Sequence, residues 1–288
     1  GGGPESGRLA DSFAIGTQSV RFADGIPLQR DRDGVSAAAI FNDGGVVALN
    51  RPGSGLGFQG PLLSVTALRG NRERDTTFEQ NAGNAISCET KYAVQNIVAG
   101  VDAQDRLVVA VGQANDPIGS GNTTCVIRLN RGGLRDRTFG VDGIVVFSDS
   151  VTPLYRPAGI AFSADGGIRL GLVPTSAAAL RPPGNAGQIR LTAAGLADSQ
   201  FSDGAIVTFP TPLASVVSAI QPLPDGGTLV GGYLAGADGQ TTATRPAVVR
   251  MAGSVPDRNF GPFGNGVVSL VNLERGLLIV PGVIAASP

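Results

Sequence analysis

Residues 134–140 read Leu-Arg-Asp-Arg-Thr-Phe-Gly, and this stretch decides the fold because its Asp-to-Phe spacing returns at an almost fixed interval. We call the pattern the Asp–Phe marker, and each copy follows a turn that contains glycine. The five copies are Asp11–Phe13, Asp75–Phe78, Asp136–Phe139, Asp198–Phe201 and Asp257–Phe260. Successive phenylalanines stand 65, 61, 62 and 59 residues apart. A repeated period of this size is typical of an architecture built from stacked supersecondary units.

A second pattern keeps the same period and predicts hairpins. Its aspartates are Asp43, Asp105, Asp165 and Asp225, at steps of 62, 60 and 60 residues. Three of the four are followed by glycine, and apolar runs stand on both sides. Because Asp-Gly tolerates the positive φ angles of a tight turn, each pair of apolar runs is interpreted as a β-hairpin. Two patterns that share one period indicate a repeat protein.

Each full period contains four candidate strands. In the third period they are residues 158–162, 168–173, 188–192 and 205–209. Antiparallel four-stranded units of this length, arranged around an axis, are typical of β-propeller blades, because one blade cannot bury both of its faces alone. We predict an all-β chain that forms a single β-propeller domain over residues 1–288. Residues 1–16 are the candidate for a poorly ordered N-terminal segment.

The chain ends supply the material for one more blade beyond the four complete periods. Gln18–Ala23 occupies the position of a fourth strand, and Leu277–Ala286 offers one or two inner strands. Combining both ends in one sheet would remove exposed strand edges. Five blades are therefore favoured, four complete and one composite, and a four-bladed propeller is the alternative.

The repeat resembles the delta-60 repeat, which is grouped with a bacterial β-propeller domain of unknown function. The resemblance is carried by Leu129, by residues 134–140 and by Gly143-Ile144-Val145-Val146, followed by the apolar strand, the Asp-Gly-Gly turn and the second strand of the next period. It covers about residues 8–270. The first copy departs from it by losing one residue between Asp11 and Phe13. The resemblance implies a propeller fold and carries no activity.

Composition limits the classes of function. The chain has 288 residues, a net charge of −1 and no histidine. A charge this close to zero argues against a nucleic-acid partner, because phosphate binding needs a basic surface. The longest apolar stretch, Leu277–Ala286, is too short to cross a bilayer, so membrane insertion is not expected. Without an imidazole, a catalytic cysteine would lack its usual activating base.

The two cysteines bear on the compartment. Cys88 and Cys125 stand 37 residues apart, and both fall on the same predicted end of the sheets. A disulfide in an oxidising compartment is favoured, and two separate buried thiols are the alternative. The pairing predicts an extracytoplasmic protein, either periplasmic, cell-surface or secreted. The sequence starts with Gly1 rather than methionine, which is interpreted as a processed N-terminus.

Topology separates the two ends of the predicted blades. The loops after second and fourth strands are long and irregular and share one end, which we call the long-loop face. The hairpin and marker turns share the opposite end, the short-turn face. Long loops on a rigid scaffold are where binding residues concentrate, and tyrosine is favoured at binding surfaces. The candidate binding residues are Tyr92, Tyr155, Arg156, Arg181, Tyr233 and Arg245. In the alternative interpretation each tyrosine only packs its own loop.

The favoured function is a non-enzymatic module that binds a protein or glycan on the long-loop face, with no cofactor. A calcium-dependent hydrolase or lyase is the first alternative, since carboxylates at the channel mouth could hold Ca²⁺. Its candidate ligands are Asp31, Asp33, Glu89 and Asp149. The second alternative is a structural repeat segment of a larger protein. We interpret the marker aspartates as structural residues of turns. We also interpret the arginines of the third strands as structural, namely Arg128, Arg190 and Arg250.

Overall fold

A computed structural model describes residues 35–50, 63–88, 94–114, 122–147, 155–174, 186–209, 213–234 and 245–269. These residues form four antiparallel β-sheets in chain order, which confirms the predicted all-β class. Two short helices follow third strands at the Asp–Phe marker: α1 (Thr76–Ala85) and α2 (Ser199–Ser202). Neither of these described helices has the length and apolar character needed to cross a bilayer.

Strand order is the same in every sheet. The first sheet contains β1 (Val35–Ile40), β2 (Val46–Asn50) and β3 (Ser64–Leu68). The second contains β4 (Val94–Val101), β5 (Leu107–Ala114), β6 (Asn122–Leu129) and β7 (Ile144–Phe147). The third contains β8 (Tyr155–Phe162), β9 (Ile168–Pro174), β10 (Gly187–Leu191) and β11 (Val207–Thr208). The fourth contains β12 (Leu213–Pro222), β13 (Thr228–Leu234), β14 (Arg245–Ala252), β15 (Val255–Pro256) and β16 (Val267–Ser269).

Neighbouring strands pair sequentially, so each complete sheet is an up-and-down meander of four strands. In the fourth sheet β14 pairs with both β15 and β16. The predicted first, second and third strands are therefore confirmed in all four periods. The fourth strand is confirmed in the last three; in the first period, residues 86–88 follow α1 without pairing as a strand.

The Asp-Gly hairpins form as predicted, but only the glycine has a positive φ. Gly44 has φ 82°, and the Gly45 amide donates to Asp43 Oδ1 at 2.8 Å. This geometry is a three-residue hairpin loop with a left-handed last residue. In the second sheet that position belongs to Asp105, with φ 61°, and Asp102 accepts the bond from the Arg106 amide. The sequence analysis matched Asp105 with Asp43, but Asp105 takes the position of Gly44, so the predicted match was wrong by one residue. The exchange is possible because aspartate tolerates the left-handed region better than most side chains.

The marker aspartates are structural, as predicted. Asp75 Oδ1 accepts the Phe78 amide at 3.0 Å and caps α1, and Asp198 Oδ1 accepts the Gln200 amide at 3.0 Å and caps α2. Capping oxygens satisfy backbone donors that have no partner within a helix. The cap also fixes the direction of the marker phenylalanine, as in Phe78, which is buried.

Successive sheets pack face to face through apolar joints. Leu107 and Val109 of β5 face the first sheet, whereas Val108 and Ala110 of the same strand face the third sheet. A separate core joins the third sheet to the fourth and contains Phe201. Alternation along a strand sends neighbouring side chains to opposite faces, so each inner sheet belongs to two cores. Stacking of this kind is the neighbour-to-neighbour packing expected of repeats.

The first strands of the sheets contact one another in order: β1 contacts β4, β4 contacts β8, and β8 contacts β12. They therefore form the common inner side of the stack. The two segments predicted to complete the composite blade, Gln18–Ala23 and Leu277–Ala286, lie outside the described residues. Residues 1–16 lie outside them too.

Third-strand arginines connect two turns of their own sheet. Arg250 contacts Asp225 of the hairpin turn at 2.6 Å and the marker Asp257 at 3.1 Å. Arg190 makes the same two contacts, with Asp165 and with Asp198. These contacts agree with the structural role expected of the arginines from their recurrence with the period.

The second sheet uses its arginine at the joint as well. Arg128 is 2% exposed, contacts Asp136 at 2.9 Å and lies 4.6 Å from the ring centroid of Phe139. Its Nη1 donates to the carbonyl of Ala193 in the third sheet at 2.6 Å. One side chain thus connects two sheets.

The first sheet lacks this arginine, since Ala67 stands at the equivalent register position. Arg131 of the second sheet replaces it from outside. It contacts Asp43 at 2.6 Å, and its guanidinium carbon lies 4.1 Å from the ring centroid of Phe41. The hairpin aspartate therefore keeps an arginine partner even where its own sheet does not provide one.

Arg128→Ala should lower the free energy of unfolding by about 1.5–3 kcal/mol, because it removes a buried guanidinium that binds Asp136 and donates to the Ala193 carbonyl across the joint. Urea denaturation measures this. The matched control is Arg137→Ala, whose side chain is 85% exposed beside Asp142 and should cost less than about 0.5 kcal/mol. Equal losses in the two variants would show that Arg128 does not hold the joint.

Acid should unfold the protein through the turn carboxylates. The Gly167 amide hydrogen bond holds the pKa of Asp165 below its usual value of 3.8; partial burial opposes this shift, and Arg190 adds to it. Because the pKa of the folded state is depressed, this stabilisation is present above the unfolded value near pH 4 and is lost as the pH falls through the folded one. Asp165→Asn should flatten the fall of melting temperature below about pH 4. The exposed, non-titrating control Gln200→Ala should keep the wild-type profile; the same slope in both variants would contradict this role.

Candidate functional site

The described part of the long-loop face contains two of the predicted binding residues with their side chains. Tyr155 and Arg156 begin β8, the inner strand of the third sheet. Tyr233 and Arg245 are placed by their backbone in β13 and β14, where Tyr233 pairs with Pro246, next to Arg245. The other candidate residues lie outside the described residues: Tyr92 and Arg181 for binding, and Asp31, Asp33, Glu89 and Asp149 for calcium.

The start of β8 packs directly over the second sheet. Thr124 Oγ1 donates to the Tyr155 carbonyl at 3.3 Å, and Asn96 Nδ2 donates to the Pro157 carbonyl at 3.3 Å. A Cβ on Gly112 would stand 2.8 Å from Pro157 Cδ and 3.3 Å from Arg156 Cβ. Glycine at this point in β5 therefore allows the inner strand to approach the second sheet closely.

Both inner strands are irregular at this end. The register of β4 against β5 shifts between Val94 and Asn96, and that of β8 against β9 shifts between Pro157 and Gly159. A shift of this kind bends a strand and redirects its side chains, and the inner strands β1 and β12 carry one as well, so it belongs to the repeat. Here it lies beside Asn96 and Arg156.

Six polar residues lie at this end of the second and third sheets, and we call them the polar joint. Its members are Asn96, Gln113, Thr123, Thr124, Tyr155 and Arg156. Gln113 and Thr123 lie on the same strand faces as Val111 and Cys125, toward the first sheet, whereas Asn96 and Thr124 contact β8. Gln113, Thr123 and Thr124 are buried. Buried polar groups need hydrogen-bond partners, so a concentration of them at one strand end marks a specialised region.

The polar joint carries one positive charge and no carboxylate. Burial raises the pKa of Tyr155, so its phenol remains an uncharged hydroxyl at physiological pH. The Nε of Arg156 is buried and has no hydrogen-bond partner within the described part of the chain. A buried guanidinium donor without a partner is uncommon in folded proteins, so Arg156 marks this strand end as unusual.

Sequence reasoning found Tyr155 and Arg156 but missed the other four residues. Their signal was present in two strand ends, where Gln113 closes an apolar run and Asn122-Thr123-Thr124 opens one. A polar residue at the end of an apolar strand is common, so the signal becomes specific only when the packing of β8 brings both ends together.

The predicted disulfide between Cys88 and Cys125 is present, with a Cα–Cα distance of 5.9 Å. Cys125 follows Thr124 of the polar joint, and both cysteines are buried in the core between the first and second sheets. The bond ties the segment after α1 to β6. Arg135 holds the same segment by donating to the carbonyls of Ala85 at 2.9 Å and Ser87 at 3.0 Å.

Carboxylates of the described residues occur instead at the short-turn face, where arginines neutralise them. Asp165 with Arg190 and Asp225 with Arg250 are examples. No group of three or more His, Cys, Asp or Glu residues that could hold a metal ion occurs within the eight described ranges. The short-turn face is therefore interpreted as structural.

No protein-family model and no curated protein matches the chain. Among solved structures, the Hadza microbial sialidase Hz136 aligns over 82% of this chain at 11% identity and a TM-score of 0.45, and this chain spans 46% of it. A GH43 endo-arabinanase from Bacillus licheniformis aligns over 81% of this chain and 78% of its own, at 14% identity and a TM-score of 0.45. Drosophila semaphorin 2a aligns over 88% of this chain and 44% of its own, at 6% identity and a TM-score of 0.46. Likenesses this weak say nothing about what the chain binds.

Reduction of the disulfide should lower the free energy of unfolding of the protein. The bond closes a loop with a sequence separation of 37 residues, for which the chain-entropy model gives roughly 3–4 kcal/mol. Urea denaturation of the double variant Cys88→Ala, Cys125→Ala measures the loss. The control is the wild type with and without reductant, which should reproduce most of it. An unchanged midpoint in both experiments would contradict the stabilising role.

Proposed function

We propose that this chain is a non-enzymatic, extracytoplasmic β-propeller module that binds a glycan on its long-loop face. The observation that carries the proposal is the polar joint, where Tyr155 and Arg156 begin an inner strand above the Asn96 amide and the Thr124 hydroxyl. Tyrosine offers an apolar ring with a polar tip, and the guanidinium offers several directed donors. Sugar hydroxyls need such a mixture of flat apolar surface and hydrogen-bonding groups.

A protein partner, the other ligand class expected from the sequence, is less well supported. Stable protein interfaces depend on buried aromatic or apolar anchors surrounded by a polar rim. The polar joint contains one aromatic side chain among six polar ones, and five of the six are uncharged. This composition fits a small hydroxylated ligand better than a large apolar surface.

The compartment is inferred from the disulfide. Disulfides persist in oxidising compartments and are rare in the cytosol. The Cys88–Cys125 bond is buried and close to the proposed site, which supports a protein that works outside the cytoplasm.

The proposal includes two features that come from the sequence. One is membership of the delta-60 repeat proteins, which is supported by the Asp–Phe markers and by the hairpins that the second repeated pattern predicted. The other is a closed propeller of five blades, with four as the alternative. The catalytic and purely structural alternatives have no observation in their favour among the described residues, and we do not propose them.

The test is binding to an immobilised glycan library, followed by calorimetric titration of the best ligand. Tyr155→Ala and Arg156→Ala should each raise the dissociation constant at least about tenfold, since residues that anchor a ligand commonly contribute more than about 1.4 kcal/mol to the free energy of binding. Leu196→Ala is the matched control, because Leu196 is 65% exposed in a turn of the short-turn face and should bind as the wild type does. Equal affinity in all three variants, or a library with no ligand, would overturn the proposed function.

A further inference from the structure

The outer face of the fourth sheet differs from the same face of the second sheet. In the second sheet Val108 and Val126 are fully buried against the third sheet. The residues at the equivalent register positions of the fourth sheet are Leu229 and Val248, beside Arg250, and both are only partly buried. This face is therefore built like a joint but lacks a covering sheet among the described residues.

A groove of about 320 Å³ lies on this face at its short-turn end. It is lined by Leu223, Pro224, Asp225, Leu229, Arg250 and Phe260. The Arg250 side chain is 33% exposed, whereas the equivalent Arg128 is 2% exposed. Phe260 is partly exposed, unlike Phe78, Phe139 and Phe201, the buried marker phenylalanines of the first three sheets.

The inner joints show what covers a marker phenylalanine. At the joint between the second and third sheets, a Cβ on Gly195 would stand 2.8 Å from the Phe139 ring. The Gly140 amide donates to the Ala194 carbonyl at 2.8 Å in the same turn. At the joint between the first and second sheets, Asn81 Nδ2 donates to the Gly132 carbonyl at 2.9 Å. At these two joints the cover is therefore the glycine-bearing turn that precedes the Asp–Phe marker of the next sheet, whereas Arg169 contacts Phe201 at the third joint.

The opposite end of the stack has a matching open face. Ile40 of β1 is 57% exposed. Its equivalents, Val101 of β4 and Phe162 of β8, pack against the core shared with the preceding sheet. A sheet placed between the fourth sheet and the first would cover both open faces at once.

The chain itself contains a turn of the required type. Residues 9–12 read Leu-Ala-Asp-Ser, as do residues 196–199, which follow the turn that covers Phe139. Gly7 stands four residues before Asp11, the same spacing as Gly253 before Asp257, whereas Gly195 stands three residues before Asp198. The segments on either side of the described stack, 34 residues before β1 and 19 after β16, together approach the length of one period.

We propose that the outer face of the fourth sheet binds the N-terminal segment of this same chain, residues 1–16, whose glycine-bearing turn covers Phe260. The Arg250 guanidinium would donate to a backbone carbonyl of that turn, as Arg128 donates to the Ala193 carbonyl. This contact assigns residues 1–16 to the ring instead of to a poorly ordered segment. It rests on the closed ring of the proposed function and deepens it by naming the segment that covers the fourth sheet, and it does not involve the polar joint.

Fluorescence tests the contact directly, because the chain contains no tryptophan. Phe260→Trp introduces a single indole in the groove, and Phe263→Trp is the matched control because Phe263 is 84% exposed in the same turn. In the intact chain, F260W should emit at shorter wavelength than F263W and be quenched several-fold less by acrylamide. Deletion of residues 1–16 should remove this difference.

A second variant keeps the test informative where the deletion does not fold. Asp11→Ala removes the carboxylate that would cap the first marker turn in the intact chain and should raise quenching of F260W without changing that of F263W. Circular dichroism and thermal melting show whether each variant is folded.

Three results would overturn the proposal. The first is equal quenching of F260W and F263W in the intact chain. The second is protection of F260W that survives both the deletion and D11A. The third is protection that disappears on dilution, which would identify a second copy of the chain as the cover. Glycan binding by the same variants is measured separately. A negative result of the fluorescence test therefore does not bear on glycan binding at the polar joint.

Discussion

The contact of one arginine with two carboxylates is the interaction on which the sheets depend. In the third and fourth sheets the guanidinium of Arg190 or Arg250 joins the hairpin turn to the marker turn. A planar guanidinium with several donors can hold two carboxylates at once, whereas a lysine ammonium offers a single point charge. The distance between the two turns is thereby set by a rigid group, and this distance decides where the marker phenylalanine enters the next joint.

The second sheet shows how much is built on this interaction. Arg128 keeps its marker partner Asp136, while Arg106 contacts both Asp102 and Asp136. The freed donors of Arg128 reach the next sheet through Ala193. In the first sheet the hairpin aspartate Asp43 contacts Arg131, which belongs to the second sheet. Different residues therefore reproduce one arrangement, which explains why the turns recur more regularly than the arginines do.

Much of this fold follows from the sequence because the recurring residues are conformational. Asp75 and Asp198 cap helices, and Gly44 closes a hairpin, so their spacing reports directly on strand positions. Prediction fails where one residue can replace another at a special backbone position, as Asp105 replaces glycine. It also fails for the first period, where α1 is ten residues long and the segment after it does not pair as a fourth strand.

The candidate site was harder to predict because it is made by packing between sheets. Tyr155 and Arg156 could be found from residue type and loop position. Asn96 and Thr124 gain their meaning only from hydrogen bonds to the carbonyls of Pro157 and Tyr155. Gly112 in β5 contributes by lacking a side chain, which allows a contact between strands distant in sequence. No local sequence pattern predicts a close contact between two such strands.

The assignment of each sheet face to a separate core has a consequence for how the molecule opens. Because β5 sends Val109 to one core and Val108 to another, a sheet can separate from one neighbour while remaining attached to the other. Stability in such an array is a sum of units and nearest-neighbour contacts, and fluctuations begin at units with a single neighbour. Among the described sheets only the second and third have a described neighbour on both sides, and the polar joint lies between them. A ligand at that joint would therefore meet a surface that does not depend on what covers the first and fourth sheets.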